Sequence, residues 1–168
     1  MKRKFMRVRP CFFDGKTVAA GVFVVLFAGI LSRLLSGSPV PLLRIFGLYG
    51  RIPRSWFFCV AWLFWYALIG LCLGCLLGER GRCCEVHRYK ACLFLVVMLI
   101  FNVIWYPLFF RAAAFFLALI DIAVMLLFAF LAWLELLRVK RMYSTCIFIH
   151  IIWLIFCFVL NLCVLFWI

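Results

Sequence analysis

Residues 91–136 read ACLFLVVMLIFNVIWYPLFFRAAAFFLALIDIAVMLLFAFLAWLEL, two apolar runs that meet at Arg111. Each is near the roughly 20 residues a helix needs to cross about 30 Å of hydrocarbon. Only a short turn, Pro107–Arg111, lies between them, which makes the pair an antiparallel helical hairpin. Outward from this hairpin the chain holds three more such runs, and the five are placed at residues 17–36, 56–77, 91–109, 112–136 and 144–168. Hydrocarbon offers backbone N–H and C=O groups no partners, so spans this long are helices. The expected fold is all-α, one integral membrane domain over residues 1–168 built as a bundle of five transmembrane helices.

Composition points the same way. The 168 residues are 71% hydrophobic, 20% aromatic and only 14% charged, with a mean hydropathy of +1.27. A soluble domain is about 45–50% apolar and about 25% charged. Soluble enzymes, nucleic-acid binders and disordered tails are therefore excluded, and the bilayer is the solvent. The formal net charge of +13 lies between apolar runs, where it suits an anionic lipid surface rather than nucleic acid.

Charges mark the joints between spans. Glu79, Arg80, Arg82, Glu85, Arg88 and Lys90 separate the second and third, while Arg138, Lys140 and Arg141 separate the fourth and fifth. The longest connection, about residues 37–55, carries Pro39, Pro41 and Pro53 with Gly37, Gly47 and Gly50, which is turn chemistry. Thirteen basic residues fall on the side of the N-terminus and the second and fourth loops. The other side has five: Arg33, Arg44, Arg51, Arg54 and Arg111. The excess places the N-terminus in the cytoplasm and the C-terminus outside, in a multi-pass protein of the cell membrane. The basic start before an apolar run is also the pattern of a signal peptide. The run is longer than a usual signal core, and no convincing small-x-small cleavage site follows it.

Polar side chains inside such spans are costly and face the bundle interior; Asn102, Asp121, His150 and Asn161 are the candidates. At about 100° per residue, Trp56, Trp62, Tyr66 and Gly70 share an arc of about 120° on the second span. Asn102, Trp105, Tyr106 and Phe109 share about 100° on the third, and His150, Trp153, Cys157 and Asn161 about 80° on the fifth. Three aromatic-plus-polar stripes, if they converge, line a π-rich hollow suited to a planar apolar ligand with a few polar handles. The competing reading is plain helix packing, with Asn102 and Asn161 as interhelical glue and Trp56, Trp133 and Trp167 as interfacial belt residues.

Gly70, Gly74 and Gly78 form a ladder that lets two helices approach closely, either inside the bundle, which is favoured, or in a homodimer. Of the ten cysteines, Cys59, Cys72, Cys75, Cys92, Cys146, Cys157 and Cys163 lie in apolar runs and read as free thiols, not a disulfide framework. Cys72, Cys75, Cys83, Cys84 and His87 have zinc-like residue types but poor spacing and surroundings, so no metal site is assigned. Asp121 with His150 has the residue types of a proton relay. No nucleophile–base pairing or phosphate loop supports hydrolytic or phosphoryl-transfer chemistry.

The stripes resemble a known family. Trp56-x-Phe58-x3-Trp62-x3-Tyr66-x3-Gly70 is similar to the second-helix signature of the TspO/MBR family, the translocator proteins or tryptophan-rich sensory proteins, once called peripheral-type benzodiazepine receptors. Asn102-x2-Trp105-x-Pro107-x-Phe109-Phe110 resembles its third helix, and Trp153-x2-Phe156-x3-Leu160-Asn161 its fifth. Ala118 and Asp121 sit where its fourth helix often has an alanine and an aspartate. The likeness covers roughly residues 53–161, with motifs in the family's order. This chain departs from the pattern at Val60, where the family has proline, at Arg54, at Leu42-Leu43 in the first loop and at Ile149-His150. Its last residues, Leu160 to Ile168, lack the tyrosine and basic residue of the family's cholesterol-recognition pattern, so sterol recognition is not carried over.

The resemblance implies a five-helix bundle, often dimeric, that binds porphyrins such as protoporphyrin IX and isoquinoline- or benzodiazepine-type ligands. No cofactor is required; the porphyrin is a ligand. The implied pocket positions are Trp62, Tyr66, Asn102, Trp105, Tyr106, Ile122, Trp153 and Cys157, with Arg51 or Arg54 as counter-charge for carboxylates at the cavity mouth. Binding for sensing, sequestration or transport is the first reading. The alternatives are light- or oxygen-dependent porphyrin breakdown, which the resemblance implies through Trp62 and Trp153, and a membrane interaction module without a ligand.

Overall fold

The structure, a computed structural model, describes residues 14–36, 55–79 and 84–167. Within them five helices follow in chain order: α1 (Gly15–Ser36), α2 (Ser55–Gly78), α3 (Glu85–Phe110), α4 (Phe115–Leu137) and α5 (Arg141–Trp167). All five contain a stretch long and apolar enough to cross a membrane. The described residues contain no strand. Side chains such as Phe23, Leu34, Phe116 and Phe166 lie mostly exposed on the outside. In water that surface would be an aggregation hazard; in a bilayer it is the solvated one. The protein is a multi-pass integral membrane bundle.

Neighbouring helices trace a ring in the order α1, α2, α5, α4, α3 and back to α1. The α3–α4 pair is the hairpin expected from the sequence, but its turn is shorter. Pro107 lies inside α3, not in the connection, which is reduced to residues 111–114. Proline supplies no N–H, so the carbonyl four residues earlier, that of Val103, loses its helical donor. Ser32 of α1 replaces it: its hydroxyl donates to the Val103 carbonyl at 2.6 Å. A neighbouring hydroxyl that satisfies the freed backbone is what lets a transmembrane helix tolerate proline. The Arg111 guanidinium donates to the Leu35 carbonyl at 2.8 Å and adds a second tie at the same end of α1.

At the opposite end the helices outrun the hydrophobic stretches. Glu85, Arg88 and Lys90 belong to the first turns of α3 and not to a loop. The 26 residues of this helix make it about 39 Å long at about 1.5 Å per residue, so its charged start projects into the headgroup layer. There His87 Nδ1 meets Glu135 Oε2 at 2.5 Å, joining the start of α3 to the end of α4, and the Arg88 guanidinium donates to the Glu79 carbonyl. Asp14 caps α1, accepting from the Lys16 backbone N–H at 3.3 Å and the Thr17 hydroxyl at 2.8 Å.

The glycine ladder is used inside the bundle. A Cβ on Gly74 would stand 2.8 Å from the Val18 Cα, one on Gly70 2.8 Å from the Val22 Cα, and one on Gly21 2.8 Å from the Gly74 Cα. Backbone lies against backbone, so α1 and α2 touch as closely as two helices can. Gly78 is looser, its nearest atoms 3.7 Å away.

The proline–serine exchange generates a double-mutant test. Ser32→Ala orphans the Val103 carbonyl in hydrocarbon and costs about 1–3 kcal/mol in unfolding of the detergent-solubilised protein. With Pro107→Ala, which restores the helical N–H, the same serine substitution costs little. Equal costs in both backgrounds would contradict the coupling.

Candidate functional site

The three sequence stripes meet inside the ring. Trp62 of α2 lies 5.4 Å from Trp105 of α3 and 6.3 Å from Trp153 of α5, ring centroid to centroid, the second pair edge to face. Trp105 continues the stack onto Phe109 at 5.1 Å, and Phe109 meets Phe115 of α4 at 5.2 Å. The α2 backbone makes few close approaches to α3 or α5. Indole rings fill the intervening space. Backbone therefore meets backbone on the α1 side of α2, and aromatic side chains hold the helices apart on the other.

Trp65, which the stripe argument passes over, belongs to the same cluster. It lies 6.5 Å from Trp153 and 4.9 Å from the His150 imidazole. Three positions after Trp62, it is turned about 60° from it at about 100° per residue. Trp62 therefore reaches both α3 and α5, while Trp65 is turned toward α5.

The polar atoms among these rings are largely unspent. Among the described residues, the Trp62 and Trp105 indole N–H groups, Asn102 Oδ1, Asp121 Oδ2, both nitrogens of His150 and both amide atoms of Asn161 have no hydrogen-bond partner. Asn102 is 2% exposed and His150 and Asn161 are fully buried. In a lipid-embedded interior such groups cost about 1–3 kcal/mol each. Of these residues Trp62 and Asn102 stand in a cavity wall, the first with an unspent donor and the second with an unspent acceptor.

Beside the indoles lies a cavity of about 130 Å³. Of the eight sequence-derived positions, Trp62, Tyr66, Asn102 and Tyr106 line it. Trp105, Ile122 and Cys157 are buried in the core, and Trp153 packs against that core; none of these four reaches the cavity wall. The remaining wall comes chiefly from α1, through Gly29, Ser32 and Arg33, which the sequence reading did not include. Gly29 is a steric requirement: a Cβ there would stand 2.4 Å from the Tyr66 ring. Arg33 sits 5.4 Å over the Tyr106 ring as a cation–π contact. The available signal was the buried set Val25, Gly29, Ser32 and Ser36, a stripe at helical spacing and mostly of small residues. Arg51 and Arg54, and the side chains of Trp56 and Phe58, lie outside the described residues. Among those described, no three His, Cys, Asp or Glu side chains gather as a metal site would require.

The cost of the unspent imidazole is measurable. His150→Leu, similar in volume and without polar atoms, raises the ligand-free unfolding free energy by about 1–3 kcal/mol. A lowered melting temperature would mean that the imidazole is already satisfied in the ligand-free bundle.

Two comparisons bear on this arrangement. No curated protein sequence matches the chain. The model of the TspO/MBR family matches residues 21–167, nearly its whole length. With five spans and the convergent aromatic interior, this protein belongs to the TspO/MBR family.

Proposed function

We propose that the protein binds a planar hydrophobic ligand of the porphyrin class between its helices and holds it for sensing, sequestration or transport. One observation carries the reading: indoles from α2, α3 and α5 converge on one another, and the N–H groups of Trp62 and Trp105 and the Asn102 carbonyl oxygen among them have no partner among the described residues. A core selected only for packing would place apolar side chains at such positions. Stacked rings with unspent donors and an acceptor match a flat π-system with polar edges.

The cavity of about 130 Å³ is smaller than the roughly 300–1,000 Å³ of pockets that hold drug-sized ligands. A macrocycle therefore enters by parting rings that now touch. Trp62 is the wall that gives, since it lines the cavity on one side and meets Trp105 on the other. Such opening exchanges ring–ring contacts for ring–ligand contacts of the same kind, so its net cost is small.

The bilayer is read as the cell membrane, with the N-terminus cytoplasmic. Lys16, Arg88, Lys90, Arg138, Lys140 and Arg141 fall at one end of the bundle and Arg33 and Arg111 at the other, which is the asymmetry of the positive-inside rule.

Protoporphyrin IX titrated into the detergent-solubilised protein is expected to quench tryptophan fluorescence saturably and to raise the melting temperature with ligand concentration. The double substitution Trp62→Phe with Trp153→Phe weakens binding by roughly tenfold, the stacking of two indoles. Unchanged affinity in the double variant, or no thermal shift in the unaltered protein, would contradict the proposal.

A further inference from the structure

We infer that the α4–α5 seam, where it ends at the connecting turn, seats one anionic phospholipid. Arg138 and Arg141 hold its phosphate, and its acyl chains lie along the apolar crevice beneath them. The seat stands apart from the interior cavity and does not depend on what that cavity binds.

Only Val139 and Lys140 separate the two arginines, in a tight turn. The Leu136 carbonyl accepts from the Val139 and Lys140 N–H groups at 3.0 and 2.9 Å. Three residues apart, the two Cα atoms lie within about 11 Å of each other, close enough for both guanidiniums to fork onto one phosphate. Both side chains are exposed, and among the described residues neither guanidinium has an ion-pair or hydrogen-bond partner. Glu135, the nearest carboxylate in sequence, is taken by His87 of α3. Lys140 is engaged with the Tyr143 ring, its Nζ 5.3 Å from the centroid. The corner therefore presents two uncompensated positive charges where the spans end, at the depth of lipid phosphates.

What lies beneath the arginines fits the rest of a lipid. At about 100° per residue, Arg141 shares a face of α5 with Phe148, and Arg138 shares one of α4 with Leu134. Phe148 meets Trp133 of α4 at 5.8 Å, and Trp133 meets Phe130 at 5.6 Å, so these rings mark the outer seam between the two helices. Phe130, Leu134 and Phe148 are 45%, 41% and 47% exposed, a wall for acyl chains. Phe148 lies about 10 Å along α5 from Arg141, past the interfacial layer of about 5–8 Å and into hydrocarbon. A free phosphate would use the arginines alone; a phospholipid uses both halves. A zwitterionic lipid brings its own ammonium to the arginines, which a net negative headgroup does not. On the orientation proposed above, this end meets the cytoplasmic leaflet, which carries the anionic lipids.

The test uses the full chain in detergent micelles doped with brominated phosphatidylglycerol or with brominated phosphatidylcholine of identical chains. Bromine quenches nearby indoles, and the part of the quenching that Trp133→Phe abolishes reports the seam. For that part, several-fold less phosphatidylglycerol than phosphatidylcholine is expected to give half the amplitude. Arg138→Gln with Arg141→Gln removes the preference and raises the phosphatidylglycerol requirement about fivefold for each arginine lost. Where that pair does not fold, Arg141→Gln alone gives the fivefold shift. Lys16→Gln with Lys90→Gln takes the same charge from exposed positions at the same end and leaves the preference intact. Inorganic phosphate at matched ionic strength leaves the quenching unchanged. Equal loss of preference in both double variants would show a diffuse basic surface and overturn the seat. So would a preference absent from the unaltered protein or undiminished in the arginine variants. Displacement of the lipid by inorganic phosphate would assign the arginines to a soluble anion instead, and overturn it too.

Discussion

The contact between the Trp62 and Trp105 rings, 5.4 Å between centroids, is the interaction on which the rest of the bundle depends. Lipid tails are as apolar as leucine, so helices in a bilayer gain little by burying apolar faces and associate by tight packing and a few hydrogen bonds. At Trp62 and Trp65, where α2 meets α3 and α5, packing means indole on indole. Trp62 touches both Trp105 and Trp153, so one side chain joins three helices. Bulky flat rings maximise dispersion contact across a gap that smaller residues would leave open. They also leave an interior that comes apart along flat faces.

The other side of α2 is built on the opposite principle. Gly70 and Gly74 let the α1 backbone come within the reach of a missing methyl group. Toward the far end of the same pair, the Tyr66 ring takes the place that a Gly29 side chain would occupy. The interface is therefore backbone on backbone at one end and ring on backbone at the other. The cavity lies at the second end, where Ser32 fastens α1 to the proline-freed carbonyl of α3. Close packing in one half fixes α1 while the other half keeps a hollow. The α1–α2 pair thus supplies the close packing and, with Asn102 and Tyr106 of α3, the hollow.

Much of this was legible from the amino-acid sequence. Runs such as residues 112–136 leave no alternative to a membrane helix, and a rotation of about 100° per residue correctly sends Trp62, Trp105 and Trp153 inward. Helix ends were less legible, because hydropathy registers the hydrocarbon boundary and α3 begins beyond it at Glu85. Pro107 was read as a turn because its rescue by Ser32 joins residues 71 positions apart. The cavity was legible in part: Trp62, Tyr66, Asn102 and Tyr106 line it, and its α1 wall was not foreseen. The stripes predict which rings converge but not whether they leave room between them. The hollow lies on the α1 side, where Arg33 counts as a loop charge in any orientation argument.

The central claim is that the ligand site is at present filled by the protein's own aromatic side chains, and that a guest takes their place by separating them. A structure of the complex with protoporphyrin IX tests it most directly. The account predicts the macrocycle against Trp62, with the Trp62–Trp105 centroid separation widened to about 7 Å, two ring-stacking distances of about 3.5 Å. A porphyrin bound elsewhere, with the two indoles still 5.4 Å apart, would contradict it.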